Sequence, residues 1–392
     1  MRKLTLFCVF AFLVIVILSR QFIQSEKIAV NTGLNENNSN QASLRQEKPL
    51  TATEEQLEAT LFNRTIDTTL TDQLAEIITC PTPGFDSQEM TLDQQERLLS
   101  EDEQQHDVII QALKHSNIDH EQLAGILFDI GISTKEKLNE LNEFHQKYPS
   151  NKIAYLKLLS ACHSSNNNNI CNQQLFDKAN AVDQENGMIW LSIAAHKFTH
   201  NDLQGAFESL TVAAKKSFFS EYFYESIALF DQTVSPMTSK SYAGNIASAI
   251  GHISAHSVNY GQAFEYCLET EVQNIEVLDA CFQLGENMEH NSHSLFLSSL
   301  GSSLVKEYYL KLQDDDAAAA SEQRSSSQYQ ESFNEQTSKA TLLMYHDEDL
   351  MRLWLQLGLE HGEFSALKQL TEEAKWRSQD PNYNPCKAQV VQ

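Results

Sequence analysis

His252 and His256 stand four residues apart, the spacing at which two imidazoles on one helix can share a zinc ion. His290 and His293 follow, with Cys267 and Cys281 between the two pairs. Drawn together these residues would make a metal site. However, no H-E-x-x-H motif and no paired-cysteine knuckle accompanies them. His252 and His256 also flank an apolar face of Tyr242, Ile246, Ala249, Ile250 and Ile253, where rim histidines are ordinary. Nucleophilic catalysis has no better support, since neither a G-x-S-x-G elbow nor a glycine-rich phosphate loop occurs. His346-Asp347 and His361-Gly362-Glu363 supply acid–base groups of the kind found on many helical surfaces. The reading assigns no catalytic residue, no cofactor and no metal. The competing reading is an envelope enzyme or metal-dependent protein with its site near His252, His256, His290 and His293.

The densest aromatic run is Phe218, Phe219, Tyr222, Phe223 and Tyr224. Its first reading is core packing, with Phe219 and Tyr224 stapled around a Ser220 helix cap. Its second is a set of aromatic anchors for a bound peptide.

The elements that would position these residues are helices. From Asn186 to Lys216, Trp190, Ile193, Ala194 and Phe198 recur at helical spacing, and Leu203, Ala206, Phe207, Leu210, Ala213 and Ala214 form a second stripe. The polar link Thr199 to Asp202 is short enough to force the two helices antiparallel, with Asn201 and Gln204 at capping-box spacing. Trp190, Ile193 and Ala194 in the first helix, and Ala206, Leu210 and Ala213 in the second, resemble the tetratricopeptide repeat, a 34-residue helix-turn-helix unit opening W-x2-L-G. The same register places Leu156, Leu159, Phe176 and Ala179 one unit earlier and Tyr224, Ile227 and Ala247 one unit later. It departs from the family at Gly244, at Lys197 where an aromatic is usual and at Phe218 where proline is usual. Trp354, Leu357 and Gly358 spell the opening outright, with Gly362, Phe364, Leu367 and Leu370 as a shortened second helix. The resemblance implies an α-solenoid whose concave surface binds a protein or peptide segment.

Composition agrees with an all-α chain: 392 residues carry 7 prolines and 13 glycines, and apolar runs suited to alternating strands are scarce. A net charge of -25 opposes nucleic acid and anionic lipid as partners. That charge reads either as a solvated surface or as an acidic docking face for basic partners.

In chain order, residues 1–24 read as a signal anchor or signal peptide, because Arg2 and Lys3 precede an apolar run from Leu4 to Leu18 and no A-x-A-like cleavage site follows. Residues 25–52 form a flexible linker rich in Asn, Gln, Ser and Glu. Asn37-Asn38-Ser39, a formal match only, and Asn63-Arg64-Thr65 resemble glycosylation sequons, which matter only in a eukaryotic secretory pathway. Residues 53–150 make an N-terminal helical region, opening at a Thr53–Gln56 capping box and interrupted at Cys80 to Gly84. Its later helices fall at Thr91 to His115, His120 to Ile130 and Ser133 to Tyr148, the last with a Ser133–Glu136 capping box. Residues 151–312 hold the repeats and further helices at Tyr260 to Glu269, Ile275 to Glu286 and Leu295 to Leu312. Residues 313–337 read as a polar linker whose three aspartates lack the ordered cage calcium requires, and 338–392 as a helical hairpin and tail.

Leaving Cys8 aside, six cysteines allow fifteen pairings. Cys162 and Cys171 flank one interhelical link and Cys267 and Cys281 sit on consecutive helices, which leaves Cys80 for Cys386. The sequence expectation is a non-catalytic adaptor facing the bacterial periplasm, either held in the inner membrane by its N-terminal segment or soluble after cleavage. Its partner is a protein or peptide, not nucleic acid, and it meets the membrane through that segment alone.

Overall fold

Asn186 opens the best-defined helix pair, its side chain accepting the Met188 amide as the chain turns into a helix. This computed structural model describes residues 76–80 and 104–387, apart from 164, 166, 168, 256, 257 and 259. They belong to one unit, Ala75–Gln392. In chain order α1 runs through 104–114, followed by α2 Asp119–Leu127, α3 Thr134–Lys147, α4 Lys152–His163, α5 Gln173–Phe176, α6 Ala179–Asp183, α7 Gly187–Thr199 and α8 Leu203–Ala213. Then come α9 Phe223–Thr233, α10 Tyr242–Ala255, α11 Gly261–Glu269, α12 Ile275–Asn291, α13 Leu295–Lys311, α14 Asp315–Ser332, α15 Glu335–Met344 and α16 Glu348–Ser378. Among the described residues the fold is all-α, without a strand. None of these helices is long and apolar enough to cross a membrane. The anchor, linker, sequons and Thr53 cap lie outside the described residues, as do 81–84 and 91–103.

The α7–α8 hairpin packs along Ile193, Ala194, Ala206, Leu210 and Ala213, all essentially without solvent contact. Trp190 is half-buried with the Lys216 ammonium 5.5 Å over its ring, while Leu203 is exposed. The cap falls one residue beyond the sequence expectation. Asn201 takes a left-handed φ of 61° to end the turn, and the Asp202 carboxylate accepts the Gly205 amide. The Ser133–Glu136 capping box is present in full at the start of α3.

Neighbouring helices pair as α3–α4, α7–α8, α9–α10, α12–α13, α13–α14 and α15–α16. Contacts distant in sequence tie these pairs together: α8 packs on α12, α7 on α11, and α9 touches both α2 and α16. At the two ends of the described unit, the Ile78 amide donates to Ser378 Oγ at 3.0 Å and Lys339 pairs with Glu76 at 3.0 Å.

The polar linker expected at 313–337 is instead mostly the 18-residue helix α14. Asp314 caps it by accepting the Ala317 amide, and Asp315 and Asp316 sit in the first turn, where carboxylates favour the helix dipole. Ala318 and Ser321 are buried in this helix, which packs on α13. A face of small residues carries little hydrophobic periodicity, so its composition resembles a loop. Within α16 two helices meet across a kink at Gly362, with φ 78° and ψ 178°, where the expected C-terminal second helix begins, and α15 packs against this element.

Candidate functional site: the hub at residues 218–222

The link between α8 and α9 runs beside three other chain segments. The Gly187 amide donates to the Phe218 carbonyl at 2.9 Å, Phe219 N to the Asn291 carbonyl at 3.1 Å, and His293 N to the Phe219 carbonyl at 2.9 Å. One segment further, the Glu363 amide donates to the His293 carbonyl at 2.8 Å while the Glu363 carboxylate accepts the Leu295 amide at 2.8 Å at the start of α13. Gly362 is needed there because its φ is positive and a Cβ would stand 3.0 Å from the His293 carbonyl oxygen. Asn186, without solvent contact, joins the first two segments: its Nδ2 donates to the Ser220 carbonyl at 2.9 Å and its Oδ1 accepts the Ser220 amide at 3.1 Å.

Titratable groups meet at this junction. Burial raises the Glu221 carboxyl, opposed by the charge of Lys157 and by a Tyr260 hydroxyl hydrogen bond, and one of its oxygens, Oε1, has no hydrogen-bond partner. Burial lowers Lys157, and Glu221 opposes that shift. Lys137 is lowered to about 8 by burial and then by the charge of Lys157, while its ammonium donates to the Leu127 carbonyl at 2.8 Å. Burial likewise raises Glu225 and Glu363. Shifts toward neutrality are a property sought in acid–base catalysts. Here, however, the groups hold helices: Lys137 ties α3 to the end of α2, and Glu363 caps α13.

Comparison with protein-family models, with curated proteins and with solved structures returns no match.

The aromatic run belongs to this hub. Phe219, Tyr222 and Tyr224 are buried, which leaves half-buried Phe218 and Phe223 as the members that reach the surface. The proposed Ser220 cap and Phe219–Tyr224 staple give way to a different start. Tyr222 precedes α9 at φ 57°, and the Ser220 hydroxyl accepts the Tyr222 amide at 3.1 Å. A left-handed tyrosine is costly, and its surroundings over-determine it: its hydroxyl donates to Asp183, whose other oxygen accepts Lys152 at 3.0 Å. Tyr224 packs on Trp354 at 5.2 Å, and a Cβ on Gly358 would stand 2.0 Å from the Tyr224 ring. The W-x2-L-G tryptophan and glycine therefore form the seat for an α9 aromatic.

The histidines are dispersed. His252 stacks on His106 at 4.8 Å and lies against Phe128 and Phe230, bordering a cavity of about 30 Å³, room for about one water. His293 lies over Phe218 at 5.6 Å, His290 is exposed, and His256 is outside the described residues. Among the described residues no group of three or more His, Cys, Asp or Glu is placed to hold a metal ion. Asp347 caps α16 and accepts Arg377 at 3.0 Å and the Tyr383 hydroxyl at 2.5 Å. Exposed His361 approaches Glu360 at 3.6 Å.

The cysteines are bonded as Cys80–Cys386, Cys162–Cys171 and Cys267–Cys281, with Cα separations of 5.2, 5.5 and 5.6 Å. Three disulfides mark an oxidising, extracytoplasmic environment. Lys157, Glu221, Tyr260 and Asp183 were not identifiable from the sequence. They are spread from residue 157 to residue 260 with no motif linking them. A faint signal does exist for Asn186, which meets Ser220 at a separation of 34 residues.

Proposed function

We propose that this chain is a non-catalytic interaction scaffold of the bacterial cell envelope, a tetratricopeptide-like array of helix pairs that presents a fixed surface to a protein or peptide partner. The observation that carries this reading is the structural use of shifted groups: the Glu363 carboxylate accepts the Leu295 amide at the start of α13, and the Lys137 ammonium ties α3 to the end of α2. The repeat reading is supported by contacts at a separation of 34 residues, between His196 and the Cys162 carbonyl, between Asn186 and Ser220, and between Thr371 and Thr337. The apolar run from Leu4 to Leu18 supports an inner-membrane anchor with the helical unit in the periplasm, or a soluble periplasmic form after cleavage.

Crosslinking in intact cells, followed by identification of the captured proteins, tests the proposal. It expects one or a few discrete protein partners. Purified protein carrying a stoichiometric small molecule or metal, with no protein captured, would overturn it.

A further inference from the structure

At the corner where α11, α12 and α13 meet, the chain exposes apolar side chains that its packing leaves uncovered. The Cys267–Cys281 disulfide pins α11 to α12, and Lys311 at the end of α13 donates to the Cys267 and Leu268 carbonyls at 3.3 and 2.6 Å. This brings together Leu268 (43 % exposed), Val272 (42 %), Ile275 (46 %), Leu310 (43 %) and Leu312 (41 %). Along the same α12–α13 pair, Phe282 lies against Tyr308 at 4.3 Å and Tyr309 at 5.5 Å, all three half-buried. Glu269, Glu271, Glu276, Asp315 and Asp316 stand exposed among or next to these residues in the chain. Both lysines of α13 are engaged within the molecule, Lys306 with Glu322 at 3.0 Å and Lys311 with the carbonyls above.

We infer that this acid-framed apolar corner docks a basic, amphipathic protein segment, an inference that rests on the scaffold reading and names the class of partner. Apolar residues of the segment cover the leucines, valine and isoleucine, while its lysines and arginines meet the carboxylates and the tyrosine faces. A second copy of this chain brings another net charge of -25, and an anionic membrane also repels the corner, so charge selects a basic partner over both.

The full-length protein is titrated with a fluorescent amphipathic leucine–lysine peptide and with its leucine–glutamate counterpart, and anisotropy is read. The lysine peptide is expected to bind with an affinity that falls as salt rises, and the glutamate peptide not to bind. L268S/L312S and E271K/E276K, all at exposed positions, should each weaken binding roughly tenfold or more. V108S, at an exposed apolar residue on α1, should leave it unchanged. Equal binding by both double variants and wild type overturns the inference, as does self-association of the peptide-free protein that L268S/L312S abolishes. Recovery of the same crosslinked partners from cells carrying L268S/L312S would also reject this corner while leaving the scaffold proposal standing.

Discussion

His145 has no solvent contact and no hydrogen bond on either ring nitrogen, and its ring lies 5.1 Å from Tyr155 across the α3–α4 seam. Burial, reinforced by Lys178, lowers its pKa to about 4. The unfolded chain then binds the proton more readily, so the stability due to the neutral ring is complete above about pH 6.5 and is lost as pH falls toward 4. His145 alone should cost roughly 2 kcal/mol between about pH 7 and pH 5. Urea unfolding at both pH values should show His145→Leu losing that part of the pH dependence, and an unaltered dependence would contradict the assignment. Burial also lowers His163, His196 and His293, so a smaller slope should persist in the variant. At this scale the sequence reveals local chemistry and hides the rest. Ser133 and Glu136 are three residues apart, so their reciprocal cap is visible in the spacing. Glu221 meets Lys157 and Tyr260 only after the chain has folded, and no local pattern marks them.

The helices were largely legible wherever large apolar residues line the buried face, as in α7, α8, α12 and α13. α14 shows where that reading stops, because Ala318 and Ser321 pack closely against α13 without producing an oily stripe. Boundaries shift by a residue where the polar cap has a rival: Asp202 takes the role expected of Asn201 because Asn201 enters the left-handed turn. The Cys162–Cys171 staple closes a short loop after α4, with a sequence separation of 9. Replacing both cysteines by alanine should destabilise the protein by about 3 kcal/mol on the chain-entropy estimate. Denaturant midpoints of the double variant and wild type measure this, and equal midpoints would show that the staple adds nothing.

Across the whole helical unit, partner binding on a fixed surface requires helices that keep their places. Two features provide this: the segments laid side by side at residues 185–187, 218–220, 291–293 and 362–363, and the closure of the two ends. Closure rests on Cys80–Cys386, separated by 306 residues, with Ile78–Ser378 and Glu76–Lys339 beside it. Helical spacing constrains neighbours, and it contains nothing about whether residue 80 meets residue 386, so the sequence reached this pair through elimination. The contacts of α9 with α2 and α16 are equally non-local and equally invisible in periodicity.

The most direct measurement is peptide mapping, under non-reducing conditions and with free thiols blocked at lysis, of the full chain recovered from its native compartment. The account predicts three linked peptide pairs, Cys80 with Cys386, Cys162 with Cys171 and Cys267 with Cys281. Free thiols at these positions, or Cys80 joined to any other cysteine, would contradict a closed helical frame in an oxidising compartment.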